Sequence, residues 1–395
     1  MKQILTFLIF ILLNFKDVQG QPGLLTGKQD DVINLLSLAG FANELHRIET
    51  EDGYLLKLHR IFPNKPKNRR GPVLLMHGFL GTSADFIFTG PNIALAYQLL
   101  NAGYHVFMGN CRGSKFSMKH KSLDPLSREF WRFSFDEIGL LDLPAIINYV
   151  LFLSEKKSLF YVGHNQGATA LLVLLSSHPK FNEKIIQAHF LAPIAFMDYP
   201  HPILAFNAED YENSMRVLRK FNFVSMVDFT KTIVDNYCSE NIPGGLRLCV
   251  RLWEFLFGRN QIETEIDPKL LLDLPAFISP TASVRQFLHF LKIYRTGKFQ
   301  SYDRDGKGRE YKLTNVQIPV YIYHGAEDMI VSRIDVERLK NILAPFIKVY
   351  NVIPNLNHYD LLLSKNGKTH LYDDICKAMT NDGLDFFDYV KNIFI

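Results

Sequence analysis

The stretch that most constrains this chain is FYVGHNQGATA, residues 160–170, in which two glycines bracket three residues centred on Asn165. An apolar run precedes Gly163 and a helix-forming run follows Gly167, so the pattern predicts a strand, a sharp turn and a helix. In a G-x-S-x-G elbow the central residue takes a positive φ and the glycines avoid clashes. Asparagine tolerates this backbone conformation. The motif therefore predicts a nucleophile elbow with Asn165 where an attacking serine would stand.

The segments around this turn alternate between strands and helices. An antiparallel hairpin is expected over 45–61, around Asp52–Gly53, because apolar and polar residues alternate on both sides. Further apolar runs of strand length lie in 71–81, 102–113, 159–163, 184–196, 318–331 and 347–358. Helical periodicity separates most of these runs. The alternation predicts an α/β protein with a mostly parallel, doubly wound sheet.

A helical, aromatic block interrupts this alternation between residues 198 and 305. We interpret it as a helical cap inserted into one α/β core, whose two parts are residues 21–197 and 306–395. Parallel sheets bind ligands at the carboxyl ends of their strands. The cap is therefore expected to cover that edge of the sheet.

The N-terminus has the pattern of a secretory signal peptide. Lys2 is followed by the apolar run Ile4–Leu13, which is too short to span a bilayer, and then by small residues at Val18–Gly20. We expect residues 1–20 to be removed and the mature chain to be secreted, with a membrane anchor as the alternative interpretation.

In a secreted protein the four cysteines can form disulfide bonds. Cys238 and Cys249 flank a Pro/Gly turn and are the disulfide candidates, whereas Cys111 and Cys376 are far apart in sequence. Four cysteines allow three pairings, among which sequence alone does not choose. The chain has no CxxC motif or Cys/His cluster, so we expect neither metal nor cofactor. A net charge of +4 without a basic, aromatic-interleaved stretch argues against a nucleic-acid partner.

An acid and a base are expected after the last two core strands. Asp328 follows the apolar run in 318–331, and His358 follows the next predicted strand, in the chain order nucleophile, acid, histidine. Taken singly, Asp328 could be a helix N-cap and His358 a surface histidine. Their order on successive strand ends favours the acid–base interpretation. Glu327 remains the rival acid.

Two backbone N–H groups are expected to form an oxyanion hole, the site that stabilises developing negative charge in acyl transfer. The residue after the nucleophile supplies one donor, here Gln166. The loop HGF after the first buried strand supplies the other, which we assign to Phe79.

With these residues in place, the chain resembles the acid lipase family, which includes gastric, lingual and lysosomal lipases and their insect relatives. The matching stretches extend over nearly the whole mature chain: TEDGYLLKLHRI, MHGFLGTSADF, GNCRGSKFSMKH, FWRFSFDEIGLLDLPAIINYV, GHNQG, GAEDMIV and NHYD. The resemblance implies an α/β-hydrolase fold with a helical cap and lid, and a protein that is secreted or lysosomal. It also implies triacylglycerol or steryl ester substrates.

The same resemblance assigns residues to roles. It places the family's nucleophile at Asn165, its acid at Asp328 and its base at His358. It places the oxyanion donors at Phe79 and Gln166. It also implies a disulfide that matches Cys238–Cys249.

Asn165 departs from the family at the nucleophile, where the family has a serine hydroxyl. A serine hydroxyl loses its proton to histidine as its oxygen attacks, whereas a carboxamide has no such proton and a delocalised nitrogen. We therefore expect a pseudolipase, a monomer that binds lipid esters, acts at lipid–water interfaces and does not turn esters over. Other interpretations are an active lipase if Asn165 is a variant or sequence difference, conversion of Asn165 to a nucleophilic Asp, and a lipid carrier or protein-binding module.

Overall fold

The computed structural model describes residues 31–62, 70–199, 223–225, 281–302 and 308–380, with single positions between 245 and 258. Within these ranges the chain forms ten strands. They are β1 (Ala42–Glu49), β2 (Leu55–Phe62), β3 (Pro72–Met76), β4 (His105–Gly109), β5 (Leu159–His164), β6 (Ile185–Leu191), β7 (Phe223–Ser225), β8 (Thr281–Ser283), β9 (Val320–Gly325) and β10 (Ile347–Ile353).

Eight of these strands form one sheet in the order β1-β2-β4-β3-β5-β6-β9-β10. Strands β1 and β2 form the predicted hairpin, with Glu49 opposite Leu55, and β2 also runs antiparallel to β4. Every pairing from β4 to β10 is parallel. The predicted α/β class with a mostly parallel, doubly wound sheet is confirmed.

The strand order reverses around β3, which is flanked by β4 on one side and β5 on the other. Ligands of open α/β sheets bind at such a switch point, outside the carboxyl ends of the strands. Two segments singled out from the sequence leave the sheet here, the HGF loop after β3 and the Asn165 turn after β5.

Helices connect the strands and cover both faces of the sheet. They are α1 (Asp31–Leu38), α2 (Leu95–Asn101), α3 (Phe135–Ser154), α4 (Gln166–Ser177), α5 (Val284–Thr296), α6 (Arg333–Ile342) and α7 (Asp360–Leu363). Helix α3 contains one π-helical stretch at Ile138–Asp142. Short 3-10 turns lie at Ser83–Phe86, Pro179–Lys184, Leu313–Asn315 and Ala344–Phe346, and a π turn at Lys368–Tyr372.

The core lies between the sheet and these helices. Strands β3 and β5 are buried along their whole length, as expected for parallel strands covered on both faces. Helix α3 is long and apolar enough to cross a membrane by length and composition, but its inner face, including Ile146, Ile147 and Val150, is fully buried in this core. We therefore interpret α3 as a core helix.

A buried arginine fixes the loop that follows β4. The guanidinium of Arg112 donates to both carboxylate oxygens of Asp52, at 2.6 and 2.9 Å, and to Asp142 at 2.8 Å. It also lies over the ring of Tyr54, 4.1 Å from its centroid. Paired, hydrogen-bonded charges can be buried without the cost of an isolated charge. The pairing ties the β1–β2 turn and helix α3 to the β4 loop.

Several predictions fall wholly or partly outside the described residues. The signal peptide at 1–20 and the Cys238–Cys249 disulfide lie outside them entirely. Of the predicted cap at 198–305, the structure describes residues 198–199, 223–225, 281–302 and single positions between 245 and 258. The boundaries of the cap therefore stay predictions. Cys111 and Cys376 are free thiols.

Candidate active site

The turn after β5 has the geometry expected from the G-x-N-x-G pattern. Asn165 has φ 49° and ψ −113° and caps helix α4. A Cβ on Gly163 would lie 2.6 Å from the backbone nitrogen of Ala168, and one on Gly167 would lie 2.3 Å from the carbonyl oxygen of Met76. Both glycines are therefore required by close backbone approach, and Asn165 stands at the apex of the turn.

Asp328 and His358 come together from the loops after β9 and β10. The Nδ1 atom of His358 lies 2.8 Å from the Oδ2 atom of Asp328. The other carboxylate oxygen of Asp328 accepts hydrogen bonds from the backbone N–H groups of Ile330 and Val331, at 2.8 and 2.9 Å. Glu327, the rival acid, is exposed. Asp328 is thus the carboxylate that orients the histidine ring.

The Asn165 side chain connects the remaining predicted site residues. Its nitrogen Nδ2 lies 3.0 Å from Nε2 of His358. Its oxygen Oδ1 accepts hydrogen bonds from the backbone N–H of Gln166 at 2.7 Å and from that of Phe79 at 3.3 Å. All five residues singled out from the sequence therefore meet at one point, and Asn165 contacts three of the other four.

This network indicates which ring nitrogen of His358 donates and which accepts. Two backbone donors point at Oδ1 of Asn165, so the amide nitrogen faces the histidine and donates to Nε2. Because Nε2 accepts, the ring proton is on Nδ1 and is donated to Asp328. This arrangement is the Nδ1–H tautomer of His358, the form that a general base would need.

Two further histidines border the site as neutral groups. Burial and the neighbouring His358 hold the pKa of His164 well below its ordinary value, and its Nε2 lies 3.3 Å from the His358 carbonyl oxygen. Burial lowers the pKa of His77 to about 4. The Nε2 atom of His77 accepts a hydrogen bond from the backbone N–H of Cys111 at 3.2 Å. Neither ring brings positive charge to the site near neutral pH.

One contact to the site comes from helix α5, and sequence reasoning missed it. The Gln286 side chain donates from Nε2 to the side-chain oxygen of Gln166 at 3.0 Å, while its own oxygen accepts from the backbone N–H of Ser283 at 2.9 Å. Ser283 and Gln286 form a capping box at the start of α5. The S-x-x-Q spacing before an apolar run could have indicated the helix start, although not the contact to Gln166.

A second contact that was missed comes from Phe257 and Gly258. The Phe257 carbonyl oxygen lies 3.4 Å from the Met329 backbone nitrogen and 3.5 Å from that of His358. The Gly258 carbonyl accepts a hydrogen bond from the Asn357 side chain at 3.0 Å. This segment therefore touches both the acid loop and the base loop. No local sequence pattern marks it, because the contact is made across about 70 to 100 residues.

The chemistry open to this arrangement follows from what stands at the apex. The His358–Asp328 pair and two backbone donors are in place, but Asn165 offers no hydroxyl or thiol to attack a carbonyl. Within the described part of the chain, no group of three or more His, Cys, Asp and Glu side chains could hold a metal ion. The site therefore brings together the residues that the sequence analysis singled out, with an amide side chain at the apex of the turn.

Comparison with known proteins agrees with this geometry. A family model described as the alpha/beta hydrolase fold matches residues 71–364. A second model, described as a partial alpha/beta-hydrolase lipase region, matches residues 32–90. Together they span the sheet, the Asn165 turn and the loops that carry Asp328 and His358.

Characterised relatives align over most of the chain. Lipase 3 of Drosophila melanogaster is 34% identical over 360 residues, covering 86% of this chain and 90% of the relative. Lipase 1 of the same organism is 32% identical, with coverage of 87% and 79%. Gastric triacylglycerol lipase of Bos taurus is 30% identical over 373 residues, with coverage of 89% and 91%.

Solved structures agree at the level of the fold. A soluble variant of monoglyceride lipase from Saccharomyces cerevisiae has a TM-score of 0.53 at 17% identity, covering 86% of this chain and 96% of that one. A thermophilic esterase from Thermogutta terrifontis has a TM-score of 0.52 at 13% identity, with coverage of 86% and 99%. The chain belongs to the acid lipase family of α/β-hydrolase-fold proteins.

Proposed function

We propose that this protein is a secreted, catalytically impaired acid lipase that binds neutral lipid esters without hydrolysing them. The observation that supports this proposal is the position of the Asn165 carboxamide, between the Nε2 atom of His358 and the two backbone donors Phe79 and Gln166. The proposed roles are base for His358, orienting acid for Asp328 and oxyanion donors for Phe79 and Gln166.

The expected loss of activity follows from the mechanism of the family. Removing the nucleophile of a catalytic triad costs on the order of 10⁶ in kcat, or about 8 kcal/mol of barrier. Oxyanion donors and substrate binding alone leave a rate enhancement of roughly 10³–10⁴ over the reaction in water. That residual rate is too low for lipid digestion. A protein with this site is therefore better suited to holding an ester than to cleaving it.

The ligand class is proposed from the relatives and from the surroundings of the site. The bovine relative is a triacylglycerol lipase, and we extend triacylglycerol and steryl esters to this chain as ligands. Aromatic side chains extend from the oxyanion loop, since the ring centroids of Phe79 and Phe290 are 5.9 Å apart and those of Phe290 and Phe135 are 5.0 Å apart. Phe135 and Phe290 are buried, so the partly buried ring of Phe79 is the one that we propose borders an acyl chain.

Location and assembly complete the proposal. We propose secretion with removal of residues 1–20, a lysosomal destination as the alternative, and a monomer that works at lipid–water interfaces. We also propose a Cys238–Cys249 disulfide within the helical cap.

A second candidate function is that of an active lipase. The 2.8 Å contact between His358 and Asp328 favours it, because a protein freed from hydrolysis has no reason to keep the pair. This candidate requires a serine at position 165 in the protein as it occurs in the organism. Sequencing codon 165 in several individuals distinguishes the two candidates, since a fixed asparagine excludes the active lipase.

Binding and turnover together test the proposed function. Delipidated native protein is titrated with a triether analogue of triacylglycerol, and p-nitrophenyl butyrate turnover is compared with that of Asn165→Ala. We expect saturable binding and equal, very low turnover in the two proteins. Turnover by native protein at a lipase-like rate, or no saturable binding, would reject the proposal.

A further inference from the structure

The Asn165 carboxamide makes hydrogen bonds to the three groups that would otherwise contact a reacting ester in this site. Its oxygen accepts from both backbone donors, Phe79 and Gln166, and its nitrogen donates to His358. Asn165 is only 4% exposed. A serine hydroxyl has a single oxygen, and in the hydrolase mechanism the two donors are kept for the oxygen of the substrate. Here the same donors are already in use.

The surroundings hold the carboxamide in this position. Gly78 precedes the donor Phe79, and a Cβ on it would lie 3.0 Å from the Cβ of Asn165 and 3.4 Å from its Oδ1. The oxyanion loop therefore packs directly against the amide. The Gln166 N–H is in the first turn of helix α4, where backbone donors lack intrahelical acceptors, so Oδ1 serves as its cap.

A ligand oxygen would have to compete with this internal group. The carboxamide is attached to the backbone beside the two donors, so it loses no translational freedom on binding them, whereas a free ligand does. A carboxylate faces a further obstacle at His358. The Nδ1–H of the ring donates to the Asp328 carboxylate, and the Nε2 atom accepts from Asn165. Both ring nitrogens of His358 are therefore already engaged, and the ring presents no free N–H to a ligand oxygen.

From this geometry we propose that the Asn165 carboxamide is an internal ligand that closes the oxyanion hole to carbonyl and carboxylate oxygens. The native protein then recognises lipids by their apolar chains, and it binds an uncharged lipid at least as tightly as the free fatty acid of the same chain length. The ligand-class part of this proposal rests on the proposed function. The closed hole does not.

Amide hydrogen exchange and ¹⁵N NMR at pH 7.5 test the closed hole without any lipid. In native protein we expect His358 as the neutral Nδ1–H tautomer. We expect the Gln166 amide to exchange at least about tenfold faster in Asn165→Ala, because its acceptor is gone. Thr169→Val is the matched control, since Thr169 contacts the backbone oxygen of Asn165 and not its side chain. An Nε2–H tautomer, or equal Gln166 exchange in all three proteins, would overturn the closed hole.

Binding of three matched ligands tests the ligand class. Octanoate, methyl octanoate and 1-octanol are titrated into native protein and Asn165→Ala at pH 6. We expect native protein to bind octanol and the ester at least as tightly as octanoate. Asn165→Ala should bind octanoate about tenfold more tightly than native protein does, should also gain for the carbonyl-bearing ester, and should not gain for octanol. A native preference for octanoate, or no octanoate gain in the variant, would overturn the proposed selectivity. If none of the three ligands binds, the proposed lipid-binding function and its selectivity are rejected. The NMR result still decides the closed hole independently.

Discussion

The side-chain nitrogen of Asn165 lies 3.0 Å from Nε2 of His358, at the distance over which a serine hydroxyl would hand its proton to this base. The contact is a hydrogen bond that cannot lead to attack, because the amide nitrogen has no free lone pair. The residues that we propose as base, acid and oxyanion donors all lie around this apex. The inactivity that we propose therefore rests on one side chain, that of Asn165.

Replacement of Asn165 by serine should restore ester hydrolysis. The serine hydroxyl would face His358, and the two backbone donors would be released for the substrate. We expect Asn165→Ser to hydrolyse p-nitrophenyl butyrate at least about 10³-fold faster than native protein. Asn165→Ala is the matched control and should stay at the native rate. A revertant as inactive as the alanine variant would show that the rest of the site no longer functions.

The revertant should depend on Asp328 as a serine hydrolase does. Asp328→Asn keeps the shape of the side chain but no longer stabilises a charged imidazole, and it favours the other tautomer of His358. In the Asn165→Ser background we expect kcat to fall by about 10²–10⁴, with KM little changed. Glu327→Gln, a neighbouring exposed carboxylate, serves as the control. An equal loss in both variants would contradict the assignment of the acid.

Gln286 should act as a positioning residue for the oxyanion donor Gln166. Its amide fixes the Gln166 side chain at 3.0 Å, so Gln286→Met in the revertant should lower kcat about three- to tenfold. The substitution also removes a capping box, which costs about 1 kcal/mol of stability. Ser283→Ala removes the other half of that box and separates the two effects. Equal kcat in both variants would mean that Gln286 acts only on helix stability.

Gly258 should tolerate no side chain. It has φ +109°, and a Cβ there would lie 1.8 Å from the carbonyl oxygen of Glu327, in the loop that carries Asp328. Gly258→Ala should therefore displace this loop, lower stability by about 2–3 kcal/mol and reduce revertant activity more than tenfold. Gly90→Ala is matched, since Gly90 has φ +85° with open space around it. Denaturant unfolding that gives the same loss for both would contradict the clash.

The carboxyl group of Asp136 should make stability depend on pH. Burial raises its pKa to about 7, although the Tyr311 hydroxyl and the Tyr302 N–H both donate to it. The folded state therefore binds this proton more tightly than the unfolded chain. The resulting stabilisation is complete below about pH 4 and is lost as pH rises through 7. As pH rises from 4 to 7.5, the free energy of unfolding of Asp136→Asn should therefore increase relative to that of native protein by on the order of a few kcal/mol.

His289, which faces Asp136, also makes stability depend on pH. The effect of Asp136→Asn is therefore measured as the difference in unfolding free energy between the variant and native protein at each pH. Burial lowers the pKa of His289 to about 3, and this ring faces Asp136 at 3.8 Å. A lowered histidine pKa contributes stability that rises with pH, opposite in sign to the Asp136 contribution. Glu137 and Lys292 also act on the carboxyl group. Asp374→Asn, which removes an exposed carboxylate, controls for net charge, and a pH-independent difference for Asp136→Asn would contradict the prediction.

The fold could be predicted from sequence because its signals are local. Continuous apolar runs gave the buried strands β3 and β5, alternation around Asp52–Gly53 gave the hairpin, and the glycine-bracketed turn gave the positive φ of Asn165. Each is a pattern within a few residues. The order of strands in the sheet, and hence the switch point beside β3, depends on pairings between distant segments and became visible only in the structure.

The sequence could predict that the five candidate residues lie together, but not the hydrogen bonds among them. The five residues from Phe79 to His358 were found from motif position and chain order. That Asn165 would turn its oxygen into the oxyanion hole depends on side-chain rotation, which no spacing encodes. The contacts from Gln286 and Gly258 were missed for a related reason, since they join segments about 100 to 120 residues apart.

The most direct test of the central claim is fluorophosphonate labelling of native protein beside Asn165→Ser, read by intact mass. Fluorophosphonates attach to an activated serine hydroxyl, which the native site lacks. We predict one added probe mass in the revertant, lost again in Asn165→Ser/His358→Ala, and none in native protein. Labelling of native protein within the Gly163–Gly167 turn would contradict the account.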